Sequence, residues 1–162
     1  MRKLFLFSAL LFALVFTSVA LQCQQLTIQT DSGKQVVPNR TDLEGLPHVK
    51  ATASEHSSGP VNFEGVTLKS VLEKAGVTFG ESLKGKRLTN CLLVEAADGY
   101  RAVIALPELD PAFTDKQTLL AFLRDGKPLG EKEGPYRIVI PDEKRMARWV
   151  RQVRTLKIAD VQ

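Results

Sequence analysis

Short apolar runs separated by turn residues fill the second half of the chain, and two of the turns are Asp-Gly pairs, Asp98-Gly99 and Asp125-Gly126. An Asp-Gly pair between apolar runs is a strong signal for a β-hairpin with a two-residue turn. We therefore predict strands over 26–30, 88–96, 100–106, 136–140 and 150–158, a weaker strand over 48–54, and a strand or short helix over 119–123. In the last strand the apolar positions shift phase between Val153 and Leu156, which predicts a bulge near Arg154.

One helix is clearly encoded before these hairpins. Apolar residues recur at i, i+3, i+4 and i+7 from Leu68 to Ala75, with Thr67 as the predicted N-cap and Gly76 as the predicted C-terminal stop. A shorter helix is predicted after Thr41, with Thr41 as its N-cap and Glu44 completing a capping box. Strands outnumber helices and do not alternate with them, so the predicted class is α+β with a mostly antiparallel or mixed sheet and a few short helices.

The first twenty residues have the composition of a cleavable signal peptide. Arg2 and Lys3 precede an apolar run over 4–16, and small residues lie at the −3 and −1 positions of a cut after Ala20. We therefore predict a signal peptide over 1–20 and one domain over 21–162, with a retained anchor as the alternative. The apolar run is short for a membrane span, so we expect a periplasmic or secreted protein without a span in its mature form.

Charge and cysteine content narrow the function further. The formal charge of +4 falls to +2 when Arg2 and Lys3 are removed, and no long basic run with interleaved aromatic residues is present, so nucleic acid is not expected as a partner.

Cys23 and Cys91 are the two cysteines. They could form a disulfide in an oxidising compartment, but we favour two separate thiols with Cys91 buried.

Three stretches, in this order, resemble the oxidoreductase molybdopterin-binding domain shared by sulfite oxidase and its bacterial relatives. Residues 63–76 are similar to the family's G-V-x-L-x-x-L-L-x-x-A-G helix, and Ala97-Asp98-Gly99-Tyr100 precedes an apolar strand and Pro107-Glu108-Leu109. The third stretch is 134–141, Gly-Pro-Tyr-Arg-Ile-Val-Ile-Pro, followed by Arg148-Trp149-Val150. The resemblance covers about residues 60–158 and implies a sulfite oxidase-like molybdopterin-binding fold.

The resemblance also implies a cofactor, and the sequence departs from that expectation. In the family, molybdenum is held by two pterin sulfurs and by one protein cysteine, in the segment before the G-V-x-L helix and close to arginines. Here that segment, residues 50–60, contains neither cysteine nor arginine, and Cys91 lies after the helix on a different strand. A soft thiolate has no equivalent in Ser or Ala. We therefore expect no molybdenum, no metal-ligating residue and no catalytic residue, with molybdopterin remaining the family expectation.

The predicted signal peptide agrees with that reading. Family enzymes outside the cytoplasm are loaded inside and exported folded by the twin-arginine route, whereas this signal contains only Arg2 and no twin pair. A chain exported unfolded has no obvious way to acquire a bulky cofactor.

Three residues are the candidate ligand-binding site: Tyr100, Arg137 and Arg148. The resemblance places the two arginines near the cofactor pocket, and arginine suits phosphate or carboxylate. In the alternative, which we favour, both arginines are solvated and pair with Asp98, Asp142 or Glu143, Tyr100 packs across its hairpin, and Trp149 fills the core.

The function expected from the sequence is an exported binding module on a molybdopterin-domain scaffold. Its partner would be a small anionic ligand or a periplasmic redox protein, and we expect it not to be an enzyme. The alternative is a molybdopterin-dependent oxidoreductase of the sulfite oxidase type, and a third reading is a structural subunit that docks on a redox partner.

Overall fold

The structure, a computed structural model, describes residues 25–55 and 59–160. The predicted signal peptide, Cys23, His56 and the hydroxyls of Ser57 and Ser58 lie outside the described residues. The helices are α1 (Arg40–Glu44) and α2 (Leu68–Ala75). The strands are β1 (Thr27–Gln29), β2 (Gln35–Val36), β3 (His48–Glu55), β4 (Gly59–Thr67), β5 (Asn90–Ala96), β6 (Arg101–Ala105), β7 (Leu119–Arg124), β8 (Lys127–Pro128), β9 (Arg137–Val139) and β10 (Val153–Asp160).

The described strands form two sheets. The first has the order β2-β1-β10-β5-β6, in which β1 runs parallel to β10 and the other pairs are antiparallel. The second has the order β3-β4-β7-β8, with β9 also pairing with β7. One hydrophobic cluster takes members from both sheets and from α2. The architecture confirms the predicted α+β class with mixed and antiparallel sheets.

Helix α2 forms as its sequence predicts. The Thr67 side chain accepts a hydrogen bond from the backbone N–H of Ser70 at 3.2 Å, and Gly76 ends the helix with φ of 101°. The apolar stripe from Leu68 to Ala75 is buried. The helix thereby anchors the end of β4 against the core.

Glycine is required at one position in the family-like motif that precedes α2. A Cβ atom at Gly65 would lie 2.2 Å from the carbonyl oxygen of Leu120 and 2.6 Å from the Cα of Ala121. Both atoms belong to the backbone of β7, and the register between β4 and β7 shifts at Glu64/Gly65. The absence of a side chain lets the two strands approach at this irregularity.

Other local predictions were confirmed in part. The register of β10 against β5 shifts between Val153 and Thr155, which confirms the bulge at Arg154. The predicted cap of α1 was wrong, because Asn39 is the N-cap and its side chain accepts from Asp42 N at 2.7 Å. Residues 55–60 were predicted to be a loop, whereas β3 extends to Glu55 and β4 begins at Gly59.

Candidate functional site

Four charged side chains meet where β3, β7 and β9 come together. Arg137 Nη2 lies 2.6 Å from Glu55 Oε1, and Arg137 Nη1 lies 2.8 Å from Glu133 Oε1. Arg124 repeats both contacts, with Nη2 at 2.8 Å from Glu55 Oε2 and Nη1 at 2.9 Å from Glu133 Oε1. We call these four residues the Arg137 network. Two positive and two negative charges balance within it.

Arg137 is the most deeply buried member of this network. Its side chain is 1% exposed, and its guanidinium carbon lies 5.2 Å from the Phe63 ring centroid and 5.5 Å from that of Trp149. Such stacking suits the flat, weakly hydrated guanidinium. The expectation that Arg137 is a solvated strand residue was therefore wrong. Strand β9 is buried, and the charge of Arg137 is balanced by the carboxylates of Glu55 and Glu133.

The carboxyl group of Glu55 is held ionised against its own burial. Its side chain is 9% exposed, and burial alone would raise the pKa. The hydrogen bonding and charge of Arg137, reinforced by Arg124, outweigh that effect, so the pKa of Glu55 lies below its usual value. Two polar atoms are nevertheless left without a directed hydrogen bond among the described residues, Glu55 Oε1 and Arg137 Nε. The short contact between Arg137 and Glu55 Oε1 is thus a charge pairing with poor hydrogen-bond alignment.

A cleft of about 350 Å³ opens on one side of Arg137. We call it the Trp149 cleft. Its lining includes Tyr100, Arg137, Lys132, Arg151, Gln152, Asp98, Met146 and Trp149. Lys132 and Arg151 are exposed and have no carboxylate partner in the part of the chain that the structure describes. With the charge of Arg137 already balanced within its network, Lys132 and Arg151 against the one carboxylate of Asp98 give this cleft a positive lining.

Tyr100 and Arg137 therefore line the same cleft, as two of the three candidate residues. Tyr100 is 49% exposed, and its hydroxyl donates a 2.6 Å hydrogen bond to the carbonyl oxygen of Ala147. That bond ties the β5–β6 hairpin to the segment before Trp149. Tyr100 does not simply cover its own hairpin; it forms one wall of the cleft. Trp149 is buried as expected, with its indole N–H donating to Ile140 O at 3.1 Å.

The third candidate, Arg148, lies apart from this lining. Its Nε donates to Glu143 Oε1 at 2.6 Å and its Nη2 lies 3.0 Å from Glu108 Oε2. Hydrogen bonding to Glu108 and Glu143 outweighs burial and raises the pKa of Arg148, while the pKa of Glu108 is lowered by Arg148 despite burial. The expected pairing with Glu143 was right, and both carboxylates engage the Arg148 guanidinium.

A second cleft, of about 380 Å³, is lined by Glu55 of the network and shares Met146 with the Trp149 cleft. We call it the Glu55 cleft. It is lined by Thr52, Ala53, Ser54, Glu55, Pro141, Glu143, Lys144 and Met146. These residues come from the end of β3 and from the loop after β9, the two segments that the resemblance places beside the cofactor. Two carboxylates, Glu55 and Glu143, line this cleft with Lys144, and Glu143 Oε2 is buried without a hydrogen-bond partner among the described residues.

Cys91 lies in neither cleft. It is a buried free thiol on β5, paired with Ala159 on one side and Ala105 on the other. Burial, with the nearby charge of Asp160, raises the pKa of its thiol. Within residues 25–55 and 59–160 no group of three or more His, Cys, Asp or Glu side chains is arranged to hold a metal ion. The same part of the chain contains no helix that meets the length and hydropathy of a membrane span.

Five functional candidates were missed from the sequence: Glu55, Arg124, Lys132, Glu133 and Arg151. One signal was readable, because Glu133 precedes Arg137 by four residues and Glu55 is the carboxylate nearest the predicted end of β3. The sequence could not predict that Glu55, Arg124 and Glu133 meet at Arg137, because that contact depends on how the strand pairs β3–β4 and β7–β9 align.

The family described as the oxidoreductase molybdopterin binding domain matches residues 14–162. The crystal structure of the sulfane dehydrogenase SoxCD from Paracoccus pantotrophus aligns with a TM-score of 0.65 and 24% sequence identity. The alignment covers 84% of this chain and 38% of that one, so the chain spans well under half the length of this structural relative. Among curated proteins no significant match was found.

Proposed function

Since this chain belongs to the oxidoreductase molybdopterin-binding domain family, we propose that it is an exported binding module of the family, which takes a small anionic ligand and provides no thiolate for molybdenum. The single observation that carries the proposal is the side chain found where the family has its cysteine segment. There Glu55 pairs with Arg137 and Arg124 at 2.6 and 2.8 Å. The carboxylate of Glu55 therefore pairs with both arginines, in the segment where the family has its cysteine.

The donor set does not fit a molybdenum centre of the family type. Molybdenum bound through pterin sulfurs is completed by a soft thiolate, whereas the Glu55 cleft offers the hard oxygens of Glu55 and Glu143. Cys91 is on β5 in the other sheet and does not line this cleft. Two carboxylates are also unfavourable neighbours for a phosphate, because like charges at short range repel. These features support a module that does not use the cofactor.

The Trp149 cleft is the better place for an anionic ligand. Lys132 and Arg151 lack carboxylate partners among the described residues, and Tyr100 and Gln152 add polar atoms to the wall. Their positive charge attracts an anion, and the exposure of both cations keeps the desolvation cost low. A volume of about 350 Å³ lies at the lower end of the range for small-molecule pockets and is sufficient for a small anionic ligand.

Elemental analysis tests the cofactor half of the proposal. The chain is expressed in a cofactor-competent host, beside a family enzyme that retains its cysteine, and molybdenum and acid-released pterin fluorescence are measured for both. We expect molybdenum far below one atom per chain and no pterin signal. Near-stoichiometric molybdenum would overturn the proposal and establish the molybdopterin-dependent oxidoreductase instead, with a pterin signal that falls in Arg137→Ala.

Calorimetry tests the anion half. Phosphate and sulfate are titrated into the wild type, into the double variant Lys132→Ala/Arg151→Ala and into Lys127→Ala, an exposed lysine of β8 that does not line the cleft. Binding that is lost in the double variant and kept in Lys127→Ala supports the site. Equal binding in all three proteins would remove the Trp149 cleft from the proposal.

Export is tested separately by fractionation and intact mass. A cut after Ala20 in the exported protein is expected, and retention of the full chain in the cytoplasm of the native host would contradict it. The same intact mass reports whether Cys23 and Cys91 are joined.

A further inference from the structure

The Arg137 network contains a carboxylate held by two guanidinium groups. Arg137 Nη2 faces Glu55 Oε1 at 2.6 Å and Arg124 Nη2 faces Glu55 Oε2 at 2.8 Å, so each oxygen has its own cation. Charge-assisted contacts of this kind are the ones proteins use to bind carboxylate ligands. Here the ligand is part of the chain.

We propose that Arg124 and Arg137 form a carboxylate-binding site that Glu55 fills from within, as a tethered competitor that excludes external carboxylates. This goes beyond the proposed function, because it concerns the contacts of Arg124 and Arg137 with Glu55 and not Lys132 and Arg151 of the Trp149 cleft. It stands whether or not Lys132 and Arg151 bind an anion.

The charge balance gives the reason why an external anion would replace Glu55. With Glu55 present, two guanidiniums meet two carboxylates and the network is neutral. Without it, Glu133 balances only one of the two cations, so an uncompensated positive charge remains beside Phe63 and Trp149. A buried unpaired charge is strongly unfavourable, and a small anion from solvent would relieve it.

The geometry also provides a route to the site. Glu55 lines the Glu55 cleft of about 380 Å³, whose wall includes the polar residues Thr52 and Ser54 and the cation Lys144. Glu55 Oε1 lies 2.6 Å from Arg137 Nη2 but is poorly aligned for a hydrogen bond, so charge dominates this contact. Removal of the Glu55 side chain would extend this cleft to the two guanidiniums.

Chemical rescue tests the proposal. Sodium formate is titrated into the wild type and into Glu55→Ala at constant ionic strength, with sodium chloride as the balancing salt, and the unfolding midpoint and the heat of binding are recorded. In Glu55→Ala we expect formate to raise the midpoint saturably and to bind at least tenfold more tightly than it binds the wild type. The Lys132→Ala/Arg151→Ala background is expected to leave this gain unchanged, which separates it from anion binding in the Trp149 cleft.

Glu108→Ala is the matched control. Glu108 also contacts two nitrogens of one arginine, at 3.2 and 3.0 Å on Arg148, but its side chain is 46% exposed. Glu143 still pairs with the Arg148 cation when Glu108 is removed, so no comparable gain is expected. Formate binding in Glu55→Ala no tighter than in the wild type, or an equal gain in Glu108→Ala, overturns the proposal.

A folding defect in Glu55→Ala is also informative. If the variant does not fold in chloride, it is refolded with formate in place of chloride at the same ionic strength. Recovery of the native Trp149 fluorescence in formate alone supports the site, and failure in both salts counts against it.

Discussion

Replacement of Arg137 by methionine tests whether the Arg137 network stabilises the fold. Methionine keeps most of the unbranched stem against Phe63 and Trp149 but removes the charge. The Arg137 side chain is 1% exposed, and its two ion pairs at 2.6 and 2.8 Å would be lost. Removal of one partner of a buried ion pair costs about 3–5 kcal/mol. Arg124 still holds both carboxylates, so we expect the lower end of that range.

Aromatic packing changes that figure little. Each cation–π contact of Arg137 contributes roughly 0.5–2 kcal/mol, and the methionine sulfur restores roughly 0.3–1.5 kcal/mol against an aromatic ring. The expected loss in free energy of unfolding is therefore about 3–4 kcal/mol, combining these terms. A domain of this size has about 5–15 kcal/mol in total, so the variant would fold but with a much lower midpoint.

Urea unfolding measures the loss, followed by Trp149 fluorescence and by far-ultraviolet circular dichroism. Arg101→Met is the control, because Arg101 is 62% exposed and pairs with Glu95 at 2.8 Å on the surface; it should cost no more than about 1 kcal/mol. The double variant Arg137→Met/Glu55→Gln should lose less than the two single losses added together. A loss in Arg137→Met equal to that in Arg101→Met, with additive single losses, would refute the reasoning.

Three further outcomes are expected. Gly65→Ala should destabilise the protein by about 1–3 kcal/mol or more, because its Cβ would meet strand backbone, whereas Gly130→Ala, with no atom within 4 Å of its Cβ, should be nearly neutral in thermal unfolding. The Cys91 thiol, buried and with a raised pKa, should react with a thiol reagent only on unfolding, as peptide mass spectrometry will show; rapid labelling of the native protein would contradict this. The pKa of His48 is raised, first by its hydrogen bond to Glu64, so its contribution to the free energy of unfolding is complete below the unfolded pKa near 6.5 and is lost as pH rises through the folded pKa. His48→Ala should therefore flatten the decline in stability over this pH range. An unchanged profile of stability against pH would contradict the prediction.

Local patterns in this chain predicted local structure well. The i, i+3, i+4, i+7 spacing and the capping residues Thr67 and Gly76 placed α2 correctly, and the phase shift in the last strand placed its bulge at Arg154. The Asp125-Gly126 turn also formed, with positive φ at both residues. These features depend on neighbours within a few residues, where steric and hydrogen-bonding preferences decide the outcome.

The candidate site could not be predicted in the same way. Arg137 reads as a polar residue on a strand, and its burial depends on Glu55 and Arg124, which are distant in sequence and reach it only through sheet pairing. Arg148 looked equivalent to Arg137 in the sequence, yet Glu108 and Glu143 hold it outside the Trp149 cleft. The sequence named both arginines alike and did not indicate which carboxylates would pair with each.

The position of β10 has a consequence for how the protein is made. This strand, Val153–Asp160, lies in the middle of its sheet, with β1 on one side and β5 on the other. Strands β1 and β5 can each pair with an earlier or adjacent strand, β2 and β6, but they join one sheet only when β10 lies between them. The parallel pair of Thr27 with Thr155 therefore joins strands that are far apart in sequence, and such contacts form slowly, so until β10 is in place the facing edges of β1 and β5 are open to pairing with other chains.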